Sequence, residues 1–104
     1  MTVKLVVLYT HPGDQAAFDE HYLGVHGPLV RAIPGLRRFE TGHFAGALDG
    51  GEHSWYRIAE LYFAGRAEMD AAFASPEGQA TAADYGKIAP PGSRMFVEIV
   101  DEDG

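Results

Sequence analysis

The hydrophobic pattern opens with β-branched and aromatic residues from Val3 to Thr10, closed by the turn signal His11-Pro12-Gly13. Val3, Leu5, Val7 and Tyr9 fall on one side of this strand and Val6 and Leu8 on the other, so both of its faces call for cover. The stretch is too short to span a bilayer and lacks a small-residue cleavage site, which makes it a strand rather than a targeting segment. After Asp14, placed as an N-cap, the period changes. Phe18, Tyr22, Leu29 and Ile33 share one helical face, and Pro34-Gly35 ends the helix with a pair suited to a type II turn.

Leu36 to Phe44 and Trp55 to Phe63 follow as strands, joined by the glycine-rich stretch AGALDGGEHS, a long hairpin loop of a kind that can cover a site. Met69, Ala72 and Phe73 have the spacing of a second helix beginning near Arg66, and Ser75-Pro76 opens a further helical segment through Ala83. Pro90-Pro91-Gly92 closes that region, Arg94 to Val100 forms the last strand, and the tail DEDG is expected to fray.

The order strand, helix, strand, strand, helix, strand predicts an α+β fold: a ferredoxin-like βαββαβ sandwich with a four-stranded antiparallel sheet and helices on one face. Strands one, three and four also carry apolar or aromatic residues on the other face, among them Val6, Leu8, Tyr56, Ile58, Tyr62, Phe96 and Val100. That open face is expected to meet a second copy of the chain, giving a homodimer.

The 104 residues are expected to form a single domain, 1–104. A formal net charge of -7 argues against sequence-independent binding of nucleic acid or an anionic membrane, although Arg31, Arg37 and Arg38 are close enough in sequence to hold one small anion. The absence of cysteine removes disulfides and thiolate catalysis and suits a cytoplasmic protein.

The candidate chemistry centres on the run His26-Gly27-Pro28 inside the first helix. Pro28 lacks an N–H, and its ring would clash with the carbonyl of Gly24 at a cost of roughly 3 kcal/mol in a continuous helix. The helix is therefore expected to kink or end near His26 and restart at Pro28. Phe18, Tyr22, His26, Leu29 and Ile33 would place the imidazole on the buried stripe. Burial favours the neutral ring and helix-end carbonyls favour the protonated one, a balance that suits a general acid or base. The competing reading is a structural histidine that closes the kink by bonding freed carbonyls.

His43, near the end of strand two, is a candidate catalytic assistant, while Tyr22, Arg38, Phe39 and Tyr62 are candidate substrate-binding residues. Glu60 and Glu98 interrupt apolar strands but suit sheet rims, and Arg38 and Glu40 share a strand face and can pair. No metal or cofactor is expected. His21 and His26 are five apart, which does not align two ligands on one α-helical face, and no phosphate-binding glycine motif, HExxH or GxSxG occurs.

The run FDEHYLGVHGPLVRAIPGLRRF resembles the signature of EthD-type proteins, and FASPEGQATAADY resembles that family's second landmark. The resemblance implies a ferredoxin-like dimeric α+β barrel, an architecture shared by cofactor-independent monooxygenases, muconolactone isomerases and heme-degrading enzymes. The family's motif histidine maps onto His26. Phe39 stands where family members often have tyrosine, so a phenolic donor is missing there.

Two functions follow. One is a small cofactor-independent isomerase, lyase or decarboxylase for an aromatic, lactone or polyketide-like molecule bound between helix one and the sheet. In it His26 is general acid/base, His43 or Tyr22 assists in orientation, and Arg38 holds a carboxylate. The other is a non-catalytic homodimer that binds a hydrophobic small ligand or serves as accessory to an oxygenase pathway. A heme-binding barrel is a third, more distant reading.

Overall fold

A computed structural model describes residues 1–102. Its strands are β1 (Val3–Thr10), β2 (Arg38–His43), β3 (Trp55–Phe63) and β4 (Arg94–Ile99), arranged β2-β3-β1-β4 with antiparallel neighbours. The helices are α1 (Gln15–His21), α2 (Gly27–Arg31), α3 (Arg66–Ala74) and α4 (Pro76–Ile88), with a π-helical segment, Tyr22–His26, between α1 and α2. This is the ferredoxin-like α+β sandwich the sequence pattern predicts. β2 and β4 are shorter than expected, α4 runs five residues beyond Ala83, and the expectation of fraying at Asp103 and Gly104 lies outside the described residues.

Strand alternation divides the sheet into two chemically different faces. On the helix side the register aligns Leu5 with Leu61 and Val97, and Val7 with Ala59 and Met95. Val3, Val7, Tyr9, Ala59, Leu61 and Phe63 are buried there with Phe18, Tyr22, Val30 and Met69. The opposite face aligns Arg38, Tyr62, Lys4 and Glu98 in one row, and Glu40, Glu60, Val6 and Phe96 in the next. Lys4 Nζ lies 3.5 Å from Glu60 and 3.7 Å from Glu98, so this face mixes an ionic row with apolar side chains. β4 is exposed along its whole length.

Pro28 does not break the first helix. The backbone stays right-handed through Tyr22, His26 and Gly27, and the Gly27 N–H donates to the Tyr22 carbonyl, five residues back. This wide turn relieves the clash that an α-helical register would impose on Pro28. It also shifts the buried stripe: Val30, rather than Leu29, follows His26 into the core. A spacing of four thus runs from Phe18 through Tyr22 and His26 to Val30 before Ile33 completes the face.

Asp14 caps α1, its side chain accepting from the Ala17 N–H at 3.0 Å, and Ser75 caps α4, accepting from the Gly78 N–H at 3.0 Å. Gly78 is buried at the α3–α4 junction, where a side chain would run into the Ala72 carbonyl and the Phe73 backbone. α4 can pack there only because position 78 has no Cβ. Its packing aims Thr81 and Asp84 inward.

Candidate active site

His26 is 3 % exposed, and the π-helical segment turns its ring toward α4. Its Nδ1 lies 2.8 Å from Asp84 Oδ2. His21, at the end of α1, places Nε2 2.9 Å from Asp84 Oδ1 and 3.1 Å from Oδ2. Two histidines therefore share one carboxylate. The five-residue spacing that disqualifies them on an α-helix is the spacing a π-turn aligns.

An ionised carboxylate only accepts hydrogen bonds, so His26 Nδ1 carries the proton it donates to Asp84. In the neutral ring Nε2 is then left with its lone pair, 3.4 Å from the Tyr9 hydroxyl. Burial pushes the His26 pKa down; Asp84 opposes this without reversing it, and His21 adds a further push downward. Burial alone would raise the Asp84 pKa, but the hydrogen bonds from His21 and His26 outweigh it and hold the carboxyl below its usual range. A neutral imidazole oriented by a buried anion on its far side is an arrangement that can accept a proton.

Nε2 faces a cavity of about 320 Å³ between the helices and the sheet. Tyr9, Phe73 and Tyr85 supply aromatic surface, Val30 and Leu61 aliphatic surface, and Met69 a thioether. Met95 and Ala82, both exposed, mark its rim between β4 and α4. Reacting groups held here would be largely shielded from water, where a positioned base and its ion partner act most strongly.

The sheet separates the other residues singled out from the sequence. Tyr22 is fully buried with its ring 5.3 Å from that of His26, and the Arg57 guanidinium lies 4.5 Å from the Tyr22 ring centre. Thr41 Oγ lies 3.0 Å from the Tyr22 hydroxyl and 2.9 Å from the Ile58 carbonyl; having one proton, it gives that to the carbonyl and accepts from Tyr22. Phe39 is half-buried on the helix side beneath Arg31, 5.2 Å away, but does not line the cavity.

Arg38 and Tyr62 lie on the opposite sheet face, where Glu40 accepts from Arg38 at 3.0 Å and from the Tyr62 hydroxyl at 2.7 Å. Those two bonds hold the Glu40 carboxyl down to about 2. His43 is exposed at the end of β2, its ring centre 6.5 Å from that of Tyr56, and is not part of the cavity wall.

Asp84, His21 and Tyr9 are the members of this site that sequence reasoning did not assign. Asp84 follows the point where the predicted helix stopped. Carried five residues further, the face through Gly78, Thr81, Tyr85 and Ile88 would expose it as an acid beside a buried stripe. Among the described residues, no group of three or more His, Asp or Glu side chains is placed to hold a metal ion, and no helix is long and apolar enough to cross a membrane.

Comparison with known proteins identifies the family and the fold. The model of the EthD domain matches residues 11–91. A Rhodococcus erythropolis protein, described as an uncharacterized 11.0 kDa protein in the thcB-thcC intergenic region, is 49% identical over 100 residues, covering 96% of this chain and 94% of its own. The crystal structure of an ethyl tert-butyl ether D (EthD) family protein from Bacillus halodurans superposes with a TM-score of 0.91 at 36% identity, covering 97% of this chain and 100% of that one. Hydroxynitrile lyase from Passiflora edulis shares the fold, with a TM-score of 0.79 at 16% identity over 97% of this chain and 94% of its own. Further structures of this fold are described as dimeric ferredoxin-like proteins.

Proposed function

The chain belongs to the EthD family, and from that premise we propose that it is a small cofactor-independent enzyme in which His26 moves a proton on a molecule bound between the helices and the sheet. The substrate is a hydrophobic compound of aromatic, lactone or polyketide-like type, and the reaction is of the isomerase, lyase or decarboxylase class. The observation that carries this reading is the Asp84–His26 pair at 2.8 Å, with the free Nε2 turned to an apolar cavity.

In the proposed cycle Nε2 takes a proton from the substrate and His26 becomes an imidazolium. The Nδ1–H stays on the nitrogen, and the Asp84 carboxylate stabilises the new charge without itself becoming protonated. Nε2 then returns the proton to another atom or to the departing group. Tyr22 fixes the ring plane of His26 from behind, and the Tyr9 hydroxyl, 3.4 Å from Nε2, is placed to donate to an oxygen of the bound molecule. His43 and Phe39, outside the cavity wall, take no part in this cycle.

The open sheet face is, in this reading, the homodimer interface. Val6, Leu8, Ile58 and Phe96 supply its apolar area, while Arg38 and Tyr62 belong to the ionic row that sets register between copies. Dimeric neighbours of the same fold support the assignment.

Hydrogen–deuterium exchange into an enolisable ketone tests the catalytic reading. With 2-tetralone in D₂O, the wild-type protein should raise carbon deuteration at least tenfold above buffer, and His26→Gln should lose that gain while still unfolding in a single cooperative transition. Binding of 2-tetralone without exchange, equal in both proteins, would instead support the second reading, a non-catalytic ligand-binding dimer, which the largely apolar cavity wall also suits.

A further inference from the structure

We propose that the cavity prefers an uncharged, flat ligand that carries a hydroxyl, donated to His26 Nε2. This rests on the reading of the cavity as the binding site, and it holds whether or not a reaction follows.

No Lys, Arg, Asp or Glu side chain lines the cavity; its polar groups are the His26 ring and the hydroxyls of Tyr9, Thr81 and Tyr85. The charge bonded to the far side of the same ring is the Asp84 carboxylate, and it is negative. No Lys or Arg side chain reaches the cavity wall. Arg57, 4 % exposed, donates to Thr41 and lies 3.5 Å from Asp19 and over the Tyr22 ring, Arg31 lies over the Phe39 ring, and Lys4 and Arg38 point to the other face of the sheet. A carboxylate or phosphate entering here would lose its hydration, meet no counter-charge and face a buried anion.

The hydroxyl follows from the pair of groups that remain. Nε2 has a lone pair and no proton, and the Tyr9 hydroxyl has a proton, yet the two stand 3.4 Å apart, beyond the usual length of such a bond. They hold each other weakly and leave one acceptor and one donor side by side. A ligand hydroxyl answers both, donating to Nε2 and accepting from Tyr9; an ether or ketone answers only the second. Thr81 does not compete, because its hydroxyl is already given to the Glu77 carbonyl at 2.9 Å.

Shape completes the description. Tyr9 and Tyr85 present rings whose centres are 5.7 Å apart, and Phe73 and Met69 face the same space. Aromatic edges and a thioether favour a flat, polarisable ring system over a branched aliphatic one.

Three naphthalenes of one size separate the possibilities at pH 7.5: neutral 2-naphthol, the ether 2-methoxynaphthalene and the anion 2-naphthoate. Calorimetric titration of the wild-type protein should give 2-naphthol a Kd at least tenfold below 2-naphthoate and at least threefold below 2-methoxynaphthalene. In His26→Leu the preference of 2-naphthol over the ether should vanish, while the ether binds about as before. Binding of 2-naphthoate as tightly as 2-naphthol would overturn the charge argument, and equal Kd values for 2-naphthol and the ether in wild type would overturn the hydroxyl assignment. Neither result touches the 2-tetralone exchange test, so the two readings fail separately. If none of the three probes shifts the Met69 methyl NMR signal, the cavity is not the binding site and the proposal falls with that reading.

Discussion

His21 and His26 bind the same Asp84 carboxylate, at 2.9 and 2.8 Å, although they stand five residues apart in sequence. An α-helix would turn them to different faces; the π-helical segment that accommodates Pro28 turns them to the same one. A residue type chosen against helix geometry thus assembles the site. The strain that proline brings is resolved by a local geometry that single-residue substitutions can test.

Asp84 should carry structural as well as chemical weight. Asp84→Ala leaves the His26 Nδ1–H buried without an acceptor, and a lost hydrogen bond to a charged group is worth about 1.5–3 kcal/mol. A urea titration should show that loss, with an unchanged m-value. A change below about 0.5 kcal/mol would mean that the carboxylate does not hold the ring.

The pH dependence has a definite sign. The folded His26 pKa lies below its unfolded value of about 6.5, so between the two the unfolded chain binds more protons and stability rises with pH. The stabilisation is complete above about pH 6.5 and is lost as pH falls toward the folded pKa. The depressed Asp84 pKa adds a second loss at lower pH, beginning near its unfolded value of about 3.9. Urea midpoints from pH 8 to 5 should fall for the wild type, and His26→Gln should flatten the part of the curve nearest pH 6.5. A parallel curve for that variant would assign the slope to other histidines.

The α3–α4 junction leaves no room for a side chain at position 78. Gly78→Ala places a methyl against the Ala72 carbonyl and should destabilise the protein by about 1–3 kcal/mol, despite alanine's better helix propensity. Thermal melting reads this directly. A neutral or stabilised variant would show that the junction has room.

Tyr9→Phe separates the hydroxyl from the ring. The ring packs edge-on to Phe18 and Tyr22 at 5.5 Å, whereas the hydroxyl makes only the long contact to Nε2. The variant should keep its stability within about 1 kcal/mol, since the ring's burial is retained. It should weaken 2-naphthol binding several-fold. Unchanged binding with a large loss of stability would reverse these roles.

Much of this architecture was legible in the sequence, for physical reasons that differ by element. β1 declared itself through β-branched residues ending at a Pro-Gly turn, and Ser75-Pro76 marked the start of α4 because cap and proline act locally. The inward turn of His26 followed from its spacing to Phe18 and Tyr22. The π-segment was not legible, since proline's clash predicts a disturbance and not its form. Asp84 is not legible because the alanines around it carry no periodic signal and the predicted helix ends at Ala83. The alternation of β2 was readable: Arg38 and Phe39 are adjacent, so a strand must send them to opposite faces, and grouping both at one site asked for what the pleat forbids.

The most direct measurement is the nitrogen-15 NMR spectrum of the His26 ring at pH 7.5, assigned with His26→Gln. The account predicts a neutral ring with a protonated, pyrrole-type Nδ1 bonded to Asp84 and a bare, pyridine-type Nε2 facing the cavity. A proton on Nε2, in the opposite tautomer or in a charged ring, would contradict it, because the base would then have no lone pair to offer.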